Sequence, residues 1–320
     1  MQLNTNLNHS CFDIIIDSCL KRLGLNDSLF WNQVGLYYEQ EKDTLKLISS
    51  YRSYRESLPR HGLLIEEKFY SSEEKFLADI KKFLSKGISI GLEIDAHELP
   101  YCLCYQSLHL LHTFEIESIN ENELIVVDHY YRYKGSIEWE TLKKAFRSTL
   151  AHFPNGPSIF TVVKSEDVKI ITLKECLIDN IRALKGVKKY SNTDNSGVSG
   201  IKAITAIEND VIEIIKTQDV QNSMELLSEY YNKLKEVANS RYNFKAYLEV
   251  HNLKVAAEIS ETLFQNWMAF ANIILRYLFL KDKSKVDEKL TTRAKKIKQN
   301  ELRLLEQLEN ALNSLGGIPE

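Results

Sequence analysis

The stretch His112-Thr-Phe-Glu-Ile-Glu-Ser-Ile-Asn-Glu-Asn-Glu-Leu-Ile-Val-Val-Asp128, "HTFEIESINENELIVVD", carries two chain directions in seventeen residues. His112 to Ile119 alternates polar and apolar side chains, the period of a strand with one face in a core. Asn120-Glu-Asn-Glu123 is a polar turn, and Leu124 to Asp128 runs back as a continuous apolar strand. The spacing predicts a β-hairpin with His112 and Asp128 facing each other across its open end. An imidazole and a carboxylate so placed hydrogen-bond, which fixes one tautomer and leaves the second ring nitrogen for another group.

That group is sought upstream. Asn8-His-Ser-Cys11 precedes Phe12, Ile15, Ile16, Cys19, Leu20 and Leu23, spaced for one face of a helix, with Asn8 or Ser10 as N-cap and Gly24 at the C-cap. Cys11 then sits in the first helical turn, where the backbone N–H groups and the macrodipole favour a thiolate. Cysteines are also among the most buried residues, and Cys19 reads as core. Cys11, His112 and Asp128 thus stand as candidate nucleophile, general base and orienting acid, with inert packing of Cys11 as the alternative. His109, three residues earlier, competes with His112 for the role, and His129 beside Asp128 reads as a neighbour that stacks near the site.

Working outward, Ser72–Leu84 reads as an amphipathic helix, 88–94 as a strand, 138–150 as a helix and 158–163 as a strand. From 174 on the pattern is nearly all helix, interrupted by the polar stretch 190–200, which reads as a flexible loop. Helices are expected over 201–216, 221–239, 241–257, 260–281 and 285–315. The fold class is therefore α+β: a core over 1–165 built from an N-terminal helix and an antiparallel sheet, a connecting segment over 166–200, and a helical domain over 201–320 packing on that core.

The chain has 320 residues, 44% of them apolar, with 27% charged and a net charge of −3. These are globular values that give no charge-driven attraction to nucleic acid. The start, MQLNTNLNHS, lacks the basic-then-apolar order of a signal peptide. The apolar run 264–280 holds Gln265, Asn266, Asn272 and Arg276 and is shorter than the ~20 residues that span a bilayer, so no membrane segment is expected. Five cysteines with one Cys102-Leu-Cys104 pair predict reduced thiols in a cytoplasmic protein and no zinc site. Lys281–Lys298 carries eight basic against three acidic residues and reads as a solvated helix face or as a dock for an acidic partner. Tyr230, Tyr231, Tyr242, Phe244 and Tyr247 read as core, with one or two as candidates for lining a tunnel.

The order of these motifs resembles the papain-like cysteine enzymes, and within them the butirosin-type acyltransferases. The resemblance rests on Cys11 at a helix start, on Asp95-Ala-His-Glu-Leu-Pro-Tyr101, on His109-Leu-Leu-His112-Thr-Phe-Glu-Ile, and on Val-Val-Asp128-His-Tyr. In the back half it rests on Arg241-Tyr-Asn-Phe-Lys-Ala-Tyr-Leu248 and Asn266-Trp267. It implies a papain-like core and an amide-forming acyltransfer. An acyl group, in some members an aryl polythioamide chain, passes from a phosphopantetheine carrier protein to the cysteine and then to an amine or diamine. No metal or other cofactor is implied. Papain-like peptidases keep a glutamine six residues before the nucleophile as an oxyanion donor, and here that position is Thr5. Asn4, Asn6 and Asn8 are amide-bearing alternatives, with the Cys11 N–H as the second donor. The departure sets peptidase or amidohydrolase activity behind thioester chemistry, because a thioester is the more reactive acyl donor. Asp95 and Tyr101 are candidates for binding the amine, or else only cap a strand and shape a turn. A non-catalytic interaction protein is the remaining alternative.

Overall fold

The computed structural model describes residues 3–4, 8–41, 44–120, 123–165, 171–191, 193–217, 220–281 and 283–316. In chain order the front elements are α1 (Cys11–Arg22), β1 (Tyr37–Glu41), β2 (Thr44–Ile48), α2 (Tyr54–Ser57), β3 (Leu63–Phe69), α3 (Glu73–Ser85), β4 (Ile90–Asp95), β5 (Leu111–Ile119), β6 (Glu123–Asp128), β7 (Tyr133–Glu138), α4 (Trp139–His152) and β8 (Ser158–Lys164). There follow α5 (Leu173–Leu184), β9 (Val198–Ser199), α6 (Ala203–Thr217), α7 (Val220–Val250), α8 (Lys254–Leu280) and α9 (Val286–Ser314). The class is α+β, with every described strand pairing antiparallel.

The chain divides into two compact units, each made of two separate segments. The first contains 1–27 and 62–168. Its six-stranded sheet has the order β3-β8-β4-β5-β6-β7. The expected hairpin is β5–β6, with Ile116 opposite Val126 and a bulge between Ile116 and Ser118; the tip residues 121–122 lie outside the described set. Strand alternation sorts the core by face. Ile90, Leu92, Ile94, Phe114, Ile116 and Val126 are buried with Phe76 and Ile80 of α3 and Phe146 of α4. On the other face Phe160 receives Ile14, Ile15 and Cys19 of α1. Gly91 makes room there: a Cβ at this position would come within 2.2 Å of the Phe160 ring. Phe12 packs on that ring at 5.1 Å between centroids, so the bare backbone of β4 helps seat the helix that bears Cys11.

The second unit contains 28–61 and 169–320. Residues 28–61, placed in the front core by the sequence pattern, belong here because β1 pairs with β2 on one side and with β9 on the other. β9 lies in the 190–200 stretch read from the sequence as a loop, where the other described residues ahead of it are turns, bends and irregular backbone. The Tyr190 hydroxyl accepts the Leu36 N–H at 2.6 Å, and Gly197 donates to the Tyr37 hydroxyl at 2.9 Å. The helical half follows the expected pattern with shifted boundaries: the helices expected over 221–239 and 241–257 form one, α7, which ends at Val250, and α8 begins at Lys254 rather than at 260. Ser240 does not break it, since its hydroxyl bonds back to the Val237 carbonyl and the next side chain, Arg241, is wholly buried. The chain turns instead at Asn252, whose φ is +58°. Arg241 pairs with Glu301 of α9 at 2.9 Å, donates to the Gly35 carbonyl at 2.6 Å, and shares Glu301 with the Trp267 indole N–H at 3.1 Å. Tyr230, Phe244 and Tyr247 are core side chains, as read. No helix is long and apolar enough to cross a membrane among the described residues.

Candidate active site

The site lies wholly in the first unit and begins with a helix cap. Ser10 accepts the Asp13 N–H at 3.1 Å while Asp13 accepts the Ser10 N–H at 3.2 Å, a reciprocal box that starts α1 at Cys11. Ser10, one of the two residues considered, is therefore the N-cap. Cys11 occupies the first helical position, half-buried, with its sulfur 3.8 Å from the Thr113 hydroxyl of β5.

The hairpin supplies the rest. His112 Nε2 and Asp128 Oδ2 lie 2.6 Å apart, His112 only 3% exposed and Asp128 not at all. Asp128 Oδ1 accepts the Tyr131 N–H at 3.0 Å. A carboxylate only accepts, so Nε2 carries the proton and Nδ1 is left for the Cys11 thiol. Of the two histidines weighed, it is His112 that faces Asp128, while His109 faces a different acid, Asp95, at 2.6 Å.

Electrostatics separate the two cysteines of α1. Burial pushes the Cys11 thiol up, but the hydrogen bond and charge of His112, with the Thr113 N–H and hydroxyl, outweigh it and hold Cys11 below the ordinary thiol range. Cys19, two turns on, is pushed up to about 12 by burial and by the Glu115 carboxylate. For His112, burial works against the charged ring, yet Asp128 and Cys11 raise it to about 9. A thiolate beside an imidazolium held by a carboxylate is a ready nucleophile with a proton donor at hand.

Behind this triad lies a second layer that the sequence did not disclose. Arg22 Nη2 bonds Glu115 at 2.5 Å, and Glu115 takes the His129 Nε2 proton at 2.7 Å. His129 Nδ1 in turn accepts the Asn4 N–H at 2.9 Å. Burial raises Glu115, but His129 and Arg22 overcome it and keep the carboxylate ionised. The network ties α1, β5 and the chain ahead of Cys11 together. Thr113 and Glu115, on the polar face of an alternating strand, are buried by it rather than solvated.

The remaining candidates sort as follows. Thr5, and Asn6 beside it, lie outside the described residues. Asn4 is engaged elsewhere: its side-chain amide donates to Asp17 and its N–H to His129. Asn8 stands in the turn leading to the Ser10 cap. The Cys11 N–H, in the first turn, has no intrahelical acceptor and remains the natural donor. Of the two readings of Asp95, the contacts are those of a cap: it is fully buried, and its oxygens accept from His97 N, Leu110 N, Ser148 Oγ and His109 Nδ1. Tyr101 stays at the site, where burial and the nearby Asp128 charge keep its phenol neutral, and it stacks on Tyr133 at 4.1 Å. Tyr130 and Tyr131, unforeseen, flank His112 at 5.9 and 4.9 Å between ring centroids. Cys102 and Cys104 are buried in the same core, and the Cys102 sulfur lies within 4.8 Å of the ligand atoms of His112 and Asp128. Comparison with protein-family models and with curated proteins finds no match to this sequence.

Proposed function

We propose that the chain is a cysteine-dependent acyltransferase with a papain-like core, forming an amide from a carrier-bound thioester and an amine. The reading rests on one observation above others: Cys11, the first residue of a capped helix, is held below the ordinary thiol range by a His112 that Asp128 grips at 2.6 Å.

The steps balance around those atoms. The Cys11 thiolate attacks the thioester carbonyl carbon, and the oxyanion forms near the Cys11 N–H. As the C–S bond to the pantetheine breaks, His112 gives its Nδ1 proton to the departing thiolate, leaving an acyl-Cys11 thioester and a neutral ring. The amine attacks this carbonyl, His112 Nδ1 takes the proton from its nitrogen, and the Cys11 thiolate departs. Acyl thioester and amine become amide and free thiol, with no net proton left on the protein. Asp128 holds the ring and its charge throughout.

Two features favour a thioester donor over a peptide. The position of the peptidases' glutamine is Thr5. The ring of tyrosines beside His112 offers an apolar, aromatic surface suited to an aryl acyl chain, including a polythioamide. Exposed Lys289, Lys295, Lys296 and Lys298 on α9 suit an acidic carrier protein. A cysteine peptidase would use the same triad with water as acceptor, and an inert Cys11 would leave an interaction protein. Intact-protein mass spectrometry with aryl and acyl pantetheine thioesters, wild type beside Cys11→Ala, separates the three. An adduct on wild type alone, discharged rapidly by diamine and slowly by water, supports the transferase; rapid discharge by water favours the hydrolase. Absence of any adduct refutes both.

A further inference from the structure

The turn between α8 and α9, within the second unit, carries lysine where a chain reversal ordinarily carries glycine. Lys281 ends α8 at φ +53° and Lys285 precedes α9 at φ +57°, both in the left-handed region. Glycine enters that region freely and lysine does not. The side chains kept there are positive, and Arg276 near the end of α8 and Lys289 in the first turn of α9 add to them. The acid Asp287 is taken by Lys216 at 3.3 Å, whereas Arg276, Lys285 and Lys289 have no carboxylate partner among the described residues.

Two adjoining cavities open between these helices. One, of about 300 Å³, is lined by Arg276 and Lys289 together with Ile273, Tyr277, Leu280 and Val286. The other, of about 360 Å³, shares Ile273 and Lys289 with it and adds Lys285 and Arg293, with Glu288 as the one acid in either described lining. Ile273, Tyr277 and Leu280 recur at i, i+4 and i+7, so a single stripe of α8 faces the space. Leu280 is 59% exposed. Covering it removes apolar surface from water, and a guanidinium beside it takes a carboxylate or phosphate through two parallel N–H bonds.

We propose that this groove binds a small amphipathic anion, a carboxylate or phosphate monoester on an aliphatic or aryl tail. Arg276 and Lys289 take the head group, and Ile273, Tyr277, Leu280 and Val286 take the tail. The space matches ordinary small-molecule sites, which run from roughly 300 to 1,000 Å³. Four positive groups against one acid oppose a metal cation. Inorganic phosphate alone would leave Leu280 wet, and a flat anionic bilayer would leave the cavities unfilled. An amphipathic anion uses both the charge and the apolar lining. The site does not depend on the chemistry proposed for Cys11.

The test is calorimetric titration of the full chain with laurate and with dodecyl phosphate, both kept below their micellar concentrations. Each should bind with one equivalent, equally to wild type and to Cys11→Ala. Arg276 and Lys289 are exposed, and Arg276→Gln and Lys289→Gln should each weaken binding about tenfold. Leu280→Asn should weaken it as well, while Lys254→Gln, at the opposite end of α8, should leave it unaltered. Inorganic phosphate should bind far more weakly than dodecyl phosphate. Circular dichroism establishes that each variant is folded. No saturable binding of either amphiphile overturns the proposal, as does affinity unaltered in Arg276→Gln and Lys289→Gln. Equal weakening by Lys254→Gln would mean attraction to positive charge at large and overturn it too. Inorganic phosphate binding as tightly as dodecyl phosphate would remove the tail from the site. Cosedimentation with phosphatidylglycerol vesicles without binding of monomeric laurate would assign the surface to a bilayer instead.

Discussion

Replacing Asp128 by asparagine keeps the shape of the site and a hydrogen-bonding group near His112 Nε2, but removes the charge that faces the ring. The rise of His112 from its ordinary 6.5 to about 9 is supported by Asp128 first and the Cys11 thiolate second, against burial. That rise corresponds to about 3.4 kcal/mol. If Asp128 supplies half, its loss raises the acid dissociation constant of the ring roughly 20-fold and the imidazolium fraction at pH 7 falls to about 85%; if it supplies all, the constant rises about 300-fold and the fraction falls to about a quarter. Cys11 then loses the charge that stabilises its thiolate and climbs toward the free-cysteine value near 8.5. Iodoacetamide alkylation of Cys11, followed by mass spectrometry from pH 5 to 10, reads this directly. Wild type should react well below the free-thiol range, with a second inflection at about 9 where the imidazolium deprotonates. Asp128→Asn should move the reactive limb upward. Identical profiles for the two proteins, or a wild-type limb at the free-cysteine value, would refute the coupling of Asp128 through His112 to Cys11.

Four further outcomes follow from the packing. Arg241→Ala or Glu301→Ala leaves one fully buried charge unpaired and should cost about 3–5 kcal/mol in urea unfolding; replacing both by apolar residues should cost much less. Gly91→Ala drives a Cβ into the buried Phe160 ring and should cost about 1–3 kcal/mol, and in the same variant Cys11 alkylation should slow because α1 rests on that ring. Ser10→Ala removes the cap of α1 and should cost about 1 kcal/mol, measurable as a lower Tm. His61 is held down to about 4 by burial and by Arg52 and Arg60. Between that value and 6.5 the unfolded chain binds a proton the folded chain refuses, so stability falls with falling pH across this window. His61→Phe should flatten that limb, and an unchanged limb would mean that His61 does not contribute to it.

The antiparallel hairpin and the first helix were legible because each is a local pattern with its own punctuation: alternation closed by Asn120, and an apolar face opened by Ser10. His112 and Asp128 were legible as a pair because a hairpin makes sequence symmetry into proximity. The Asp95 role stayed open between amine binding and capping because a carboxylate in a turn looks the same in sequence whether it faces solvent or, as here, is saturated by Ser148 and His109 from distant elements. The strand at Val198–Ser199 left no periodic signal, being two residues long and defined by its pairing with Tyr37 and Tyr38. The Arg22–Glu115–His129–Asn4 network spans 125 positions between its ends and has no local signature at all.

The interleaving of the two units bears on how the protein is made. α1, with Cys11, leaves the ribosome well ahead of the sheet strand that carries Phe160, on which it rests and which ends at Lys164. At synthesis rates of about 5–20 residues per second, the helix waits roughly 7–30 s for that partner. The β1–β2 hairpin waits longer still, until β9 at residues 198–199 has been translated. During that interval Cys11 lacks His112 and Asp128 and behaves as an ordinary thiol. Each unit needs chain from both sides of the other, so neither can be expressed as a simple N- or C-terminal truncation.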